Sequence, residues 1–451
     1  MKIIIIGAGK VGVTLAEELC REKHEISIID PNPAVIEYVS TEYDVLGIVG
    51  TGSCCDDLRS AGADKADLLI ATSSQDEVNI LSCTIAHNMG TKSCIARIRD
   101  PKLSVQFPFL HENLGLTNMV NPELYAASEI ARIIRTPAAV KVESFAKGRI
   151  DLAEIKISEG SKLAGVSLYM LPKMIKSRLL ICAVERNGDV FIPSGDFVLR
   201  EGDHIHVTAT HQDLADFFRE QGQPMQRIRN VMVIGGGRIA YYLTRQLLDA
   251  GISVKIIEIN RDRCLELSNA FPKAKIICAD GTNQDILIAE GLHNADACVA
   301  LTGVDEENII LSMYAASQCG AKLITKVSKP SLRKMTASVG LDSLISPQQL
   351  TANMIVQYVR GIQNAGGSSI TTLHKLVDNR VEAIEFTANS GSKLLNIPLK
   401  DLTLKKDLLI AGIIRGSKII IPNGNAAIMR DDSVIVVTTN RFFRDLDDII
   451  Q

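Results

Sequence analysis

The chain carries one pattern of strand, glycine turn and helix twice, and few features restrict a fold more tightly. In the first copy Ile3 to Ile6 form an apolar run that runs into Gly7-Ala8-Gly9-Lys10-Val11-Gly12. Such a run reads as a strand buried on both faces that opens into a helix. Gly7 allows the tight turn, Gly9 leaves room for a pyrophosphate against the backbone, and Gly12 lets the helix pack close to the sheet. The next strand, Glu25 to Ile29, ends in Asp30, where a carboxylate can accept the ribose hydroxyls of an adenosine. The pattern returns at Val231 to Glu258, with Gly235, Gly237 and Ala240 in the small-residue places and Glu258 in the place of Asp30.

The repeat extends further. Ala66 to Thr72 followed by Asp76-Glu77-x-Asn79 matches Ala295 to Leu301 followed by Asp305-Glu306-x-Asn308. In the first half the loop Val49 to Ser53 closes a third strand, a helix starts within Asp56 to Ala61, and further strands are expected at Leu68 to Thr72, Ser93 to Ile98 and Asn118 to Val120. This alternation predicts an α/β fold, a Rossmann-like doubly wound parallel sheet with ligands at its carboxyl edge. A helix over Leu124 to Ile134 follows and stops before Pro137.

Beyond it the grammar changes to a small α+β unit, with strands at Leu152 to Ile157 and Ile205 to Thr208 and a hairpin at Asn187-Gly188. Gln221 to Gln226 reads as a linker. The second half repeats both units, with a trailing helix over Gln348 to Arg360 and a flexible joint at Gly366-Gly367-Ser368-Ser369. Gly391 to Leu394 echoes Gly160 to Leu163, and Ile421 to Gly424 echoes Ile192 to Gly195. The expected division is 1–122 and 227–347 for the two duplicated sheet domains, 123–140 and 348–369 for connecting helices and linker, and 141–226 and 370–451 for the small α+β domains.

Length suggests about three or four compact units. A net charge of −3 gives no basic excess for nucleic acid. No apolar run approaches the roughly 20 residues that span a bilayer, and the N-terminal isoleucines lead into a glycine loop rather than a signal cleavage site. The ten cysteines show no CxxC and no metal-ligand spacing, so they read as reduced cytoplasmic thiols. Cys54-Cys55, in an expected loop, could be redox-sensitive.

Two glycine-loop domains, each followed by a small α+β unit, resemble the regulator-of-potassium-conductance (RCK, or KTN) domain family over essentially the whole chain. The four-part order carries that resemblance more than the glycine loops, which many dehydrogenases share. It implies a cytoplasmic regulatory subunit, peripheral at the inner face of the cell membrane, that docks on a membrane potassium transporter and gates it in response to NAD(H), ATP or ADP. It also implies a homo-oligomer, a dimer or tetramer ring, in which the small units can host regulatory ligands.

The candidate nucleotide-binding residues are Gly7, Gly9, Lys10, Val11, Gly12, Asp30, Thr51, Gly52, Thr72, Ser73 and Arg97 in the first half. In the second they are Gly235, Gly237, Arg238, Ile239, Glu258, Asp280, Gly281, Leu301, Thr302 and Lys326. Lys10 and Arg238 stand where a cation reaches phosphates over a helix end. Asp30 and Glu258 would repel a 2′-phosphate and favour NAD(H) over NADP(H). Thr51 stands opposite Asp280, so the two sites are expected to differ. Arg97 and Lys326 could face the nucleotide or pair with a surface acid. Asp76-Glu77 and Asp305-Glu306 read as helix caps, Ser74-x-x-Glu77 being a capping box. His204-x-His206 puts two imidazoles on one strand face with no third metal ligand apparent.

The competing class is an NAD-dependent oxidoreductase, which needs a general acid or base beside the nicotinamide. The small units offer no such constellation, and no P-loop is present for ATP hydrolysis. A regulatory subunit of another ion transporter remains open.

Overall fold

The computed structural model describes residues 1–135, 140–145, 149–221, 227–329, 331–332, 335–336, 339–341, 343–364, 370–377, 380–440, 443 and 445–451. Pro137, most of the expected linker Gln221 to Gln226 and the expected joint Gly366 to Ser369 lie outside the described residues.

The first half opens with strands β1 (Lys2–Ile6), β2 (Glu25–Asp30), β3 (Leu46–Val49), β4 (Leu68–Ala71), β5 (Ser93–Arg97) and β6 (Asn118–Val120). They form a parallel sheet in the order β3-β2-β1-β4-β5-β6, so strand order reverses between β1 and β4. A doubly wound sheet binds ligands outside such a reversal. Ile3 to Ile6 are all buried, as are Leu68 to Ala71 beside them.

A small antiparallel sheet follows, built from β7 (Lys141–Phe145), β8 (Ile150–Lys156), β9 (Leu179–Arg186), β10 (Asp189–Phe191) and β11 (His204–Ala209) in the order β10-β9-β11-β8-β7. Its tight hairpin falls at Asn187-Gly188, with φ of 53° and 86°, between the paired residues Arg186 and Asp189. Two successive positive φ angles are what a tight hairpin turn of this kind demands.

The second half repeats both sheets. Strands β12 (Asn230–Ile234), β13 (Ser253–Glu258), β14 (Lys275–Cys278), β15 (Ala297–Ala300), β16 (Lys322–Lys326) and β17 (Leu344–Ile345) take the order β14-β13-β12-β15-β16-β17. Strands β18 (Ile370–Leu376), β19 (Val381–Thr387), β20 (Leu408–Arg415), β21 (Lys418–Ile420) and β22 (Ser433–Thr438) take the order β18-β19-β22-β20-β21. Both orders match their first-half counterparts strand for strand.

Compactness cuts across this order. Met1–Ile130 with Asn230–Val359 form one unit, and Ala131–Arg229 with Arg360–Gln451 form the other. In the first unit, Tyr242 donates its hydroxyl to the Arg99 carbonyl at 3.0 Å and accepts from the Asn121 amide at 3.0 Å, while Gln246 donates to Ser128 at 3.0 Å. Tyr242 and Gln246 lie on the helix Arg238–Asp249, so the second glycine-loop helix is tied to the end of the first sheet domain. In the second unit the two small sheets share an apolar layer containing Phe145, Leu152, Ala183, Ala383, Ile435 and Val437. Within each small sheet a fully buried acid, Asp203 or Asp432, accepts two bonds from an arginine, Arg186 or Arg415, at 2.7 to 2.9 Å.

Three local expectations need correction. The helix after β6 spans Pro122–Arg135 rather than starting at Leu124, because Asn121 accepts from the Leu124 N–H and Pro122 needs no partner in a first turn. The second trailing helix runs Pro347–Asn364, longer than Gln348 to Arg360. The capping box at Ser74 and Glu77 does not form: the N-cap of helix Asp76–Met89 is Gln75, with no side-chain cap bond. Asp76 instead accepts from the Arg99 and Asp100 N–H groups at 2.8 Å, and Asp305 likewise accepts from Ser328 and Lys329. Each acid ties a helix start to the loop leaving a neighbouring strand.

Candidate nucleotide site

Each glycine loop is built from a chain that only glycine follows easily. Gly7 and Gly235 have φ of 91° and 99°, the left-handed region that L side chains rarely enter. A Cβ on Gly12 would stand 1.9 Å from the Gly7 carbonyl oxygen, so helix and turn are in direct backbone contact there. Above Gly9 and Gly237 the space is open to at least 4 Å. The helices that follow, Lys10–Arg21 and Arg238–Asp249, start at Gly9 and Gly237 with no side-chain cap and no acid in the first turn. Other helices of the sheet domains carry an asparagine cap, as at Asn32 and Asn260, or acids in the first turn, as at Asp76 and Asp305, although helix Phe107–Leu114 has neither. An uncapped N-terminus under open space is suited to an anion.

Asp30 and Glu258 sit alike. Asp30 accepts from the Ala8 N–H at 2.7 Å and the Asn32 N–H at 2.9 Å, and Glu258 accepts from Gly236 at 2.6 Å and Asn260 at 2.7 Å. Each carboxylate therefore fixes its glycine loop while keeping further lone pairs for hydroxyl donors. The second copy adds Arg263, which donates to the carbonyls of Gly236 at 2.7 Å and Gly237 at 3.3 Å.

Several other candidates hold the loops rather than open space. Thr72 is buried and donates toward the carbonyls of Ile6 and Gly7, and Leu301, its buried counterpart, offers only its backbone to Ile234. Ser73 and Thr302 each donate their N–H to the side-chain oxygen of a buried asparagine, Asn79 or Asn308. Gly52 and Gly281 pack on Ile6 and Ile234, where a Cβ would come within 2.5 Å of a methyl carbon. The Thr51 hydroxyl shares a 3.0 Å hydrogen bond with that of Ser53, and the Thr51 N–H donates to Asp57. Asp280 is occupied by Thr282, whose N–H and hydroxyl hold its carboxyl below the usual range.

The two halves meet at a cavity of about 250 Å³. It gathers Val11 and Arg97 from the first set of candidates with Gly237, Arg238, Ile239, Leu301 and Lys326 from the second. Gly7, Gly9, Lys10, Gly12, Asp30, Thr51, Gly52, Thr72, Ser73, Gly235, Glu258, Asp280, Gly281 and Thr302 are not in its wall. The remaining wall includes Glu123, Pro122, Ser328, Pro347 and Gln348, which spacing alone did not single out. The available signal was the repeat itself, since Asn121-Pro122-Glu123 aligns with Ser346-Pro347-Gln348 after matching strands.

Three cations face one acid in this wall. Arg97 pairs with Glu123 at 3.5 Å, so it does meet an acid, but inside the cavity rather than on an open surface. Burial lowers the Arg97 pKa, with Glu123 opposing and Arg99 adding to the shift. Lys326 donates to the Thr302 carbonyl. Burial lowers its pKa too, Asp305 and Glu123 pull it back up, and Lys10 pushes it down. Desolvated cations beside the uncapped N-terminus of helix Arg238–Asp249 favour an incoming anion. His204 is bonded to Glu154 at 2.8 Å, and among the described residues no group of three or more His, Cys, Asp or Glu could hold a metal ion.

The TrkA-N domain model matches residues 3–122 and 231–347, and the TrkA-C domain model matches 152–222 and 383–450. A Trk system potassium uptake protein TrkA homolog of Archaeoglobus fulgidus is 34% identical over 437 residues, 97% of each chain. The chain belongs to the TrkA family. A TrkA relative from Halomonas elongata is 31% identical, covering 100% of this chain and 99% of its own. The crystal structure of the GsuK RCK domain superimposes with a TM-score of 0.64 at 17% identity, covering 96% of this chain and 91% of that one. The GsuK channel bound to NAD superimposes with a TM-score of 0.63 at 17% identity, covering 97% of this chain and 76% of that one. At that identity the likeness is one of fold. Among the described residues no helix of this TrkA-family chain is long and apolar enough to cross a membrane.

Proposed function

We propose that this chain is a nucleotide-binding regulatory subunit of a potassium-uptake system, which docks on a membrane transporter from the cytoplasmic side and gates it. The observation that carries the reading is the cavity of about 250 Å³ in which the second uncapped glycine-loop helix meets Arg97, Lys326 and Glu123. A nucleotide at the second loop brings its phosphates toward charges belonging to both halves. Binding then favours one arrangement of the paired sheet domains over another. A ligand without such a preference would shift nothing.

Asp30 and Glu258 are the proposed ribose ligands, and Lys10, Arg238, Arg97 and Lys326 the proposed phosphate cations. NAD(H) fits the acid at the ribose, and ATP or ADP fits the cationic cavity. The family relationship supports the potassium assignment, because the relatives are named Trk system potassium uptake proteins. Fold neighbours that bind these nucleotides, the GsuK channel bound to NAD and GsuK bound to ADP, support the ligand class. The role is binding and regulation rather than catalysis. The matching helices Asp76–Met89 and Asp305–Gln318 expose Leu81, Ile310 and Met313, an apolar face suited to a second copy of the chain.

The test is rubidium uptake and potassium-limited growth in a strain lacking this chain, complemented with wild type, Asp30→Ala or Glu258→Ala. Lost uptake in the deletion and altered uptake in the variants at normal protein level support the proposal. Unchanged uptake throughout sinks it.

A further inference from the structure

Two thiols meet at the ribose end of the second glycine-loop site. Cys264 lies in the first turns of helix Arg261–Ala270, is buried, and donates its thiol to the carbonyl of Glu258 at 3.3 Å. Cys278 ends β14 and is the register partner of Glu258 on the neighbouring strand. The pair therefore converges on one residue, the proposed ribose acid. Burial, with Cys278 beside it, raises the Cys264 pKa to about 11.

Access separates this pair from another of the same kind. Cys83 and Cys94 also contact each other, but both are fully buried. Cys278 is exposed to solvent, whereas Cys264 is buried. An exposed thiol backed by a second one is the arrangement in which an oxidised sulfur is captured before it oxidises further. The first half has no counterpart, since Ile36 and Val49 hold the matching positions. The device is one-sided.

We propose that Cys264 and Cys278 are an oxidisable dithiol that closes into a disulfide beside Glu258 and so weakens nucleotide binding at the second glycine loop. The oxidant is a peroxide. The Cys278 thiolate attacks one peroxide oxygen, the O–O bond breaks, and Cys278 becomes a sulfenic acid with release of water. The Cys264 sulfur then attacks the Cys278 sulfur, the S–O bond breaks, and the second water leaves as the S–S bond forms. Overall the two thiols lose two electrons and two protons, and the peroxide is reduced to two waters.

Closure shortens the sulfur separation to about 2.05 Å. It draws helix Arg261–Ala270 toward β14 and removes the thiol hydrogen from the Glu258 carbonyl. Arg263, next to Cys264, shifts with it on the carbonyls of Gly236 and Gly237.

The part of this inference that concerns affinity rests on the proposed nucleotide site. The experiment treats the full reduced chain with hydrogen peroxide, blocks remaining thiols by alkylation, and maps disulfides by peptide mass spectrometry. NADH binding is titrated before oxidation, after it, and after dithiothreitol. The expected result is a Cys264–Cys278 cross-link, with Cys83 and Cys94 still alkylated under denaturing conditions. NADH affinity at the second site should fall about fivefold, the factor that goes with one lost hydrogen bond, and recover on reduction. C264S and C278S should each abolish both effects. Absence of the cross-link overturns the proposal, as does a cross-link that leaves NADH affinity unchanged. A cross-link in a protein whose reduced form binds neither NADH nor ATP supports the dithiol and overturns the nucleotide reading instead.

Discussion

The Arg97 guanidinium lies 3.5 Å from the Glu123 carboxylate, and each keeps one buried polar atom, Nε and Oε2, without a hydrogen-bond partner among the described residues. Buried polar atoms of this kind cost stability unless something completes them. At the matching places in the second half stand Lys326 and Gln348, so the cavity has an acid on one side only. Glu123→Gln removes that acid and should tighten binding of a nucleotide with a terminal phosphate by roughly tenfold, given the usual worth of a partly buried charge pair. Calorimetric titration with ATP measures it, and equal or weaker binding by the variant contradicts the charge argument.

Lys326 makes the cavity sensitive to alkaline pH. Burial holds its pKa below the ordinary lysine value of 10.5, with Asp305 and Glu123 opposing and Lys10 reinforcing. An anion in the cavity raises that pKa again, so binding takes up a proton wherever free Lys326 has begun to lose its own. Affinity must therefore fall as pH climbs through the window below 10.5. Lys326→Arg keeps its charge throughout and should flatten the profile. ATP titrations at stepped alkaline pH compare the two, and parallel profiles would count against Lys326.

Gly12 and Ala240 occupy matching positions, yet a Cβ at Gly12 would fall 1.9 Å from the Gly7 oxygen. Backbone is the least yielding neighbour a side chain can meet. Gly12→Ala should cost about 1–3 kcal/mol through overpacking, although its counterpart already carries that methyl group. Thermal melting reads this directly. A variant as stable as wild type would mean that the first turn opens as easily as the second.

Arg186 and Asp203 test the small sheet. Asp203 is fully buried, accepts two bonds from Arg186 and takes the Arg200 N–H at 2.8 Å. Removing only the acid, Asp203→Ala, leaves the partly exposed guanidinium with its bond to the Val198 carbonyl and strands the Arg200 amide, and should cost about 1–3 kcal/mol. The double variant Arg186→Met with Asp203→Leu should recover part of that loss in denaturant unfolding. No recovery would show that the acid's bond to the backbone matters more than the ion pair.

The duplicated glycine loops, the acids at Asp30 and Glu258 and the reversing turn at Asn187-Gly188 were legible from the chain alone. Each answers a local demand, such as a positive φ, a close backbone approach or a strand end, that few residue types can meet. Partners far apart in the chain were not legible. Ser74 and Glu77 spell a capping box, yet the structure uses Asp76 on the Arg99 and Asp100 amides, because those donors arrive only when the sheet forms. Arg97 left two readings open until Glu123 was placed against it, and Tyr242 finds the Arg99 carbonyl across 143 residues. Local sequence carries backbone constraints and the period of burial. Which charges share a desolvated cavity depends on how two sheet domains pack, and that is settled only by the tertiary contacts between them.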